Sequence, residues 1–246
     1  MCKPSPHPMC TSLTRRETLI KLSLMPYRLT PLVNGEIYHV FNRGVADQPM
    51  FTQKRDCDHF LQTLCYYLPD RPPVRLSKFN NLSRELRVEI EKQLSRMETI
   101  ASVHAFCLMP NHFHLLLKQQ QEGGISSYLK KLTDSYSKFF NTKYERNGPI
   151  FQGQFKAVHV GSDEQLVHLS RYIHINPLTG YVVKDFEQLL NYPWSSLPQY
   201  LKGREGFCET STILNYFSSK EKYSEFLRNQ VDYQRELANI RHMTLE

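Results

Sequence analysis

One stretch constrains this chain more than any other: His104-Ala-Phe-Cys-Leu-Met-Pro-Asn-His112-Phe113-His114-Leu-Leu-Leu-Lys118. It reads as a strand over about 100–108, a tight turn at Pro110-Asn111, and a second strand over about 112–118. Side chains alternate along a strand, so His112 and His114 share one face and Phe113 takes the other. Two residues apart, the imidazoles lie roughly 7 Å from each other by strand rise. They can close on one metal ion if a third group arrives from elsewhere in the chain. Phe113 and the leucines that follow suit a core.

The flanking segments supply the rest of a fold. Residues 35–43 (GEIYHVFNR) form a strand ended by Gly44. Residues 55–68 carry Phe60, Leu61, Leu64 and Leu68 at helical spacing. Pro69 to Pro73 breaks that helix. A charged amphipathic helix follows over 83–97, striped by Leu82, Leu86, Ile90, Leu94 and Met97. After Gly123-Gly124 a long helix carries Ile125, Leu129, Leu132, Tyr136, Phe139 and Phe140, and Asn147-Gly148 stops it. Residues 150–160 hold a short strand. Ser162 or Asp163 caps a helix over 164–176, expected to end before Pro177. Strand, helix, strand-turn-strand, helix, strand is the ferredoxin-like β-α-β-β-α-β order: an α+β fold, an antiparallel sheet with helices on one face. The histidines then face the side away from the core helices, or the margin between sheet and helix.

The helix at 164–176 adds chemistry. Leu166, Leu169 and Ile173 form its apolar stripe, while His168, Tyr172 and Asn176 stand four apart on another face. Tyr172 and Asn176 can therefore present a phenol and an amide oxygen to one point. An amide carbonyl is a hard ligand suited to Mg²⁺ or Mn²⁺. Two imidazoles and one amide oxygen leave positions open for phosphate oxygens and water. A phenol with a pKa near 10 is a weak nucleophile unless a metal polarises the phosphate it attacks. Tyr128, Tyr136 and Tyr144 have Leu132, Phe140 and Gly148 four residues on, so none carries a ligand there. Tyr172 is the first choice of nucleophile, with Tyr136 in reserve. His168 reads as a surface or cap residue.

Composition bears on the partner. Lys and Arg total 31 against 24 Asp and Glu, a net charge of +7, which suits a polyanion. Between 111 and 160, Lys118, Lys130, Lys131, Lys138, Lys143, Arg146 and Lys156 outnumber Glu122, Asp134 and Glu145, with aromatics interleaved. That pattern fits phosphate contacts with base stacking. Arg43, after the first strand, and Arg171, beside Tyr172, are the cations best placed for a phosphate. The six cysteines, at 2, 10, 57, 65, 107 and 208, contain no C-x-x-C pair and read as reduced thiols. No apolar run approaches the ~20 residues of a membrane span. Arg15-Arg16 resembles a twin-arginine signal, but its apolar stretch is too short, so a cytoplasmic, nucleoid-associated protein is expected.

Here a resemblance enters. MPNHFHLLL (109–117) and RYIHINPLTGYV (171–182), preceded by YHVFNRG (38–44) and followed by WSS (194–196), resemble the REP-associated tyrosine transposases, of the HUH class of single-tyrosine transposases. The resemblance covers about residues 30–200. It implies a divalent metal, Mg²⁺ or Mn²⁺, and cleavage and rejoining of single-stranded DNA at palindromic hairpins through a 5′-phosphotyrosine. By matching, His112 and His114 are the histidine ligands, Asn176 the third ligand and Tyr172 the nucleophile. Where that family carries a W-Q-x-R-F block, this chain has Phe151-Gln152-Gly153-Gln154-Phe155. The expected organisation is an N-terminal extension over 1–29, disordered or reflecting a true start at Met25. A catalytic domain over 30–203 follows, with a charged insertion at 70–98, and then a helical tail over 204–246. Monomer and homodimer both remain open. Two alternatives stay beside this reading: a non-catalytic single-strand-binding module, and a metal hydrolase of small phosphoesters.

Overall fold

The computed structural model describes residues 31–229. The chain divides after Pro31, and everything below concerns the unit that begins at Leu32. The expected N-terminal extension, the start at Met25 and the last part of the tail lie outside the described residues.

Four strands form one sheet: β1 (Ile37–Arg43), β2 (Ala101–Met109), β3 (His112–Gln119) and β4 (Lys156–His159). Their spatial order is β2-β3-β1-β4, and every pairing is antiparallel. This is the ferredoxin-like arrangement that the order of elements predicts. Helices α1 (Lys54–Tyr66) and α4 (Gly124–Lys143) connect the strands. Between α1 and β2 lie the short α2 (Leu76–Phe79) and α3 (Arg84–Leu94). Of the expected stripe on α3, Ile90 is buried and Leu86 is exposed.

Alternation divides the strand residues between two cores. Tyr38, Val40, Phe106, Phe113, Leu115 and Leu117 pack with Phe60 and Leu64 of α1 and with Tyr128, Leu132 and Tyr136 of α4. Cys107, Met109 and Leu116 point the other way, against Leu166, Ile173 and Ile175 of α5 (Asp163–Thr179). The core helices thus lie on one face, as expected, and α5 covers part of the second. Four short C-terminal helices follow it: α6 (Phe186–Leu190), α7 (Leu197–Lys202), α8 (Ser211–Leu214) and α9 (Lys220–Arg228). Every residue of β2 is buried, the polar Ser102 and His104 included, so both faces of the strand are covered.

β2 is an edge strand by order, and an open edge invites pairing with another chain. Here the segment carrying Trp194-Ser195-Ser196 closes it. The Leu108 N–H donates to the Trp194 carbonyl at 2.9 Å, and the Ser196 N–H to the Phe106 carbonyl at 3.0 Å. The opposite edge, β4, is only four residues long and largely exposed.

Helix α5 corrects one boundary. It runs through Pro177 to Thr179, where an end before the proline was expected. Proline lacks an N–H, so it removes one backbone bond. In the last turn that loss is confined to the Ile173 carbonyl, while the Pro177 carbonyl accepts from the Val182 and Val183 N–H groups beyond the helix. Ser162 is the cap, accepting from the Gln165 N–H. Among the described residues no helix is long and apolar enough to cross a membrane.

Candidate active site

The second face of the sheet carries the site. Register places His114 between Phe41 on β1 and Cys107 on β2, and His112 between Arg43 and Met109. The two imidazole rings lie 5.0 Å apart, nearly perpendicular. His114 is buried, whereas His112 is partly open to solvent. Tyr172 of α5 brings its ring edge-on to His114 at 5.4 Å. Strand histidines and helical tyrosine therefore meet within a single chain. Asn176, one helical turn beyond Tyr172, is buried. Its turn ends at Gly180, where an added Cβ would stand 2.6 Å from the Met109 Cε, so this end of α5 sits close against β2.

A third imidazole joins them. His39 of β1 hydrogen-bonds through Nε2 to His114 Nδ1 at 2.9 Å, and its ring stands 6.1 Å from that of Tyr172. Sequence reasoning passed over His39. The signal available was alternation, which puts His39, Phe41 and Arg43 on one strand face, but pairing with β3 is a register that alternation alone does not fix.

The tautomer of His112 follows from its neighbour. Its Nδ1 lies 2.7 Å from the Asn111 Oδ1, and Asn111 Nδ2 donates to the Asp47 carbonyl at 3.3 Å. An amide oxygen only accepts, so His112 Nδ1 carries the proton and Nε2 keeps its lone pair. Burial holds His39 and His112 each down to about 4. Burial, then the neighbouring His112 and His39, push His114 well below its ordinary value. All three imidazoles are neutral at pH 7, the form that ligates metal.

A divalent ion is what the resemblance implies, and the donor set fits one. His112 presents an unprotonated Nε2, and His114 Nε2 is buried without a hydrogen-bond partner. Among the described residues no three His, Cys, Asp or Glu side chains converge on one ion position. Two imidazoles would therefore need an oxygen donor such as the Asn176 amide.

The expected cations divide by face. Arg43 lies opposite His112 and pairs with Asp47 at 3.0 Å, both well exposed. Lys156 lies opposite Phe41, hence on the same face as His114, and is exposed. Lys118 shares that face at the far end of β3, opposite Ile37. Lys130, Lys131 and Lys138 ride on α4, behind the other face. Lys130 is paired to Asp134 at 2.7 Å and Lys131 to Asp70 at 2.7 Å. Arg146, just past α4, donates to the Gln48 side chain at 3.2 Å and stands over the Phe140 ring.

Arg171 departs from expectation. It is 4% exposed, its guanidinium lies 4.0 Å over the Phe226 ring, and Nη2 stands 2.6 Å from His168 Nδ1. It joins α5 to α9 and does not face solvent as a phosphate ligand would. The reserve nucleophile is likewise misplaced for the role. Tyr136 is buried behind the first face, and its hydroxyl donates to the Met50 carbonyl at 2.7 Å.

Comparison with known proteins adds family evidence. Residues 75–176 match the family model described as "Transposase IS200 like". Two solved structures are similar over about three quarters of this chain. One is described as the REP-associated tyrosine transposase bound to a REP hairpin; identity is 17%, coverage 75% of this chain and 90% of that one, and TM-score 0.48. The other is a bacterial tRNA(His) guanylyltransferase (Thg1)-like protein in complex with ATP, at 10% identity, 74% and 75% coverage, and TM-score 0.35. No curated protein sequence matches the chain. The segment similar to the IS200-like transposases, residues 75–176, contains His112, His114, Tyr172 and Asn176.

Proposed function

We propose that this protein cleaves and rejoins single-stranded DNA at hairpin elements through a covalent tyrosine intermediate. The observation that carries the reading is the meeting of Tyr172 with His114 on the sheet face that also holds His112. The family match supports DNA as the substrate.

The Tyr172 oxygen attacks a backbone phosphorus. An O–P bond forms to the phenol, and the bond from phosphorus to the 3′ oxygen breaks. The phenolic proton leaves to water, and the departing oxygen takes one up as a free 3′-hydroxyl. The product is a 5′-phosphotyrosine. Attack by a 3′-hydroxyl reverses these changes and restores Tyr172, so rejoining needs no ATP. His112 and His114, with the Asn176 amide oxygen, would hold Mg²⁺ or Mn²⁺, which polarises the phosphate and neutralises developing charge. Edge-on contacts of the half-buried Tyr172 ring with His114 and His39 restrict the ring, which limits the entropy lost on reaching the attacking geometry. Arg43 and Lys156 border the histidines and are the cations placed to steady the flanking phosphates.

The test is a denaturing gel after incubation with single-stranded hairpin DNA and Mn²⁺. A covalent protein–DNA adduct is expected from the natural chain and none from Tyr172→Phe. His112→Ala should abolish the adduct and leave hairpin binding mostly intact. An adduct that survives Tyr172→Phe overturns the assignment. Binding without any adduct from the natural chain favours a non-catalytic module.

A further inference from the structure

His112 and His114 are oriented by different means. The ring of His112 is fixed by the adjacent turn residue Asn111, whose amide oxygen leaves no choice of tautomer. His114 has no such acceptor. Its Nδ1 meets only another imidazole, His39 Nε2, with the rings 5.1 Å apart and 22° from parallel. Two neutral imidazoles can share one proton in two ways. If His39 donates, the His114 proton sits on Nε2, an N–H buried with no acceptor. Orphaned buried N–H groups are rare, because nothing offsets the lost hydration. If His114 donates from Nδ1, its Nε2 becomes a lone pair matching that of His112.

We infer that His39 is a positioning residue: its Nε2 accepts the His114 Nδ1 proton and so holds His114 in the tautomer whose Nε2 is a free donor atom. His39 then serves His114 as Asn111 serves His112. Ligating histidines commonly give their second ring proton to such a partner, and loss of the partner costs about 10–100-fold in metal affinity. This consequence for metal rests on the proposed function; the tautomer itself does not.

The experiment uses the full-length, metal-free protein at neutral pH and long-range ¹H–¹⁵N spectra of the histidine rings. His114 should show a protonated Nδ1 and an unprotonated Nε2. His39→Gln keeps an acceptor oxygen and should preserve that pattern. His39→Leu should lose it, moving the proton to Nε2 or mixing the two forms, while His112 is unchanged. Mn²⁺ titration should then weaken about 10–100-fold for the leucine variant and little for the glutamine variant. A His114 proton on Nε2 in the natural chain overturns the inference, whatever the variants do. So does a pattern unchanged in folded His39→Leu. Equal loss of Mn²⁺ affinity in both variants with the pattern preserved would make His39 a direct ligand, and overturns it too. None of these spectra depends on DNA cleavage, so failure of the proposed reaction leaves them decisive.

Discussion

On one face of the sheet, Tyr38, Val40, Phe106, Phe113, Leu115 and Leu117 meet the apolar stripes of α1 and α4. On the other, the same strands offer His39, Phe41, His112 and His114 to α5. The first face is held by area removed from water, at roughly 25 cal/mol per Å². The second buries polar rings that cost free energy unless each nitrogen finds a partner. The contrast teaches that α1 and α4 supply the stability that lets the histidine face keep its unpaired nitrogen. It predicts that damage to either face should show in a different measurement.

The largest stability effect belongs to the first face. Phe60 is fully buried among Phe51, Phe113 and Tyr136. Phe60→Ala should cost about 3–5 kcal/mol by chemical denaturation. At a temperature where the variant remains folded, its adduct yield should stay near that of the natural chain. A collapse of adduct formation in the folded variant would mean that the faces are coupled.

Acid should find the second face next. His174 of α5 is fully buried, with Nδ1 2.7 Å from the Tyr223 hydroxyl and Nε2 2.7 Å from the Ser196 Oγ. Burial lowers it from 6.5 to about 3. The unfolded chain therefore binds this proton below pH 6.5, while the folded chain refuses it down to about 3. Stability is full above 6.5 and is lost as pH falls towards 3, by up to about 5 kcal/mol from this group. Urea denaturation at several pH values should show a shallower acid loss in His174→Asn. Identical pH slopes would remove His174 as the acid-sensitive tie between α5, α9 and the Ser196 segment.

Two tyrosines sharpen the contrast. Tyr136→Phe leaves the Met50 carbonyl without its donor and should cost about 1–3 kcal/mol, while the adduct persists. Tyr172→Phe should do the reverse: the adduct disappears while the chain stays folded. A Tyr136→Phe variant that is fully stable yet makes no adduct would exchange the two roles.

Much of this division was legible. Periodicity of 2 and 3.6 fixed which residues face the first core, since Phe60, Leu64, Leu129, Leu132 and Tyr136 need only be apolar and correctly spaced. The His112/His114 face and Tyr172 with Asn176 were legible for the same reason. What stayed hidden depends on register and on which side of the sheet an element crosses. His39 reaches His114 across 75 residues through strand pairing. Lys130 and Lys138 lie close to the histidines in sequence but behind the sheet in space. Arg171 looks like a free cation until α9 brings Phe226 over it.

The smallest expected effect tests that last distinction among charges. Arg43 and Lys156 lie on the histidine face, and Lys130 and Lys138 behind the other. A cation that neutralises one phosphate of a single strand contributes about 0.7 to the slope of log affinity against log salt. Lys156→Ala should therefore flatten the salt dependence of hairpin binding by about that amount, and Arg43→Ala by a similar one. Lys130→Ala should leave the slope unchanged, because its ammonium is already paired with Asp134. Fluorescence anisotropy from low to moderate salt measures each slope. Equal flattening by Lys138→Ala and Lys156→Ala would mean that the DNA wraps both faces, and the separation of a packing face from a DNA face would fail at the level of charge.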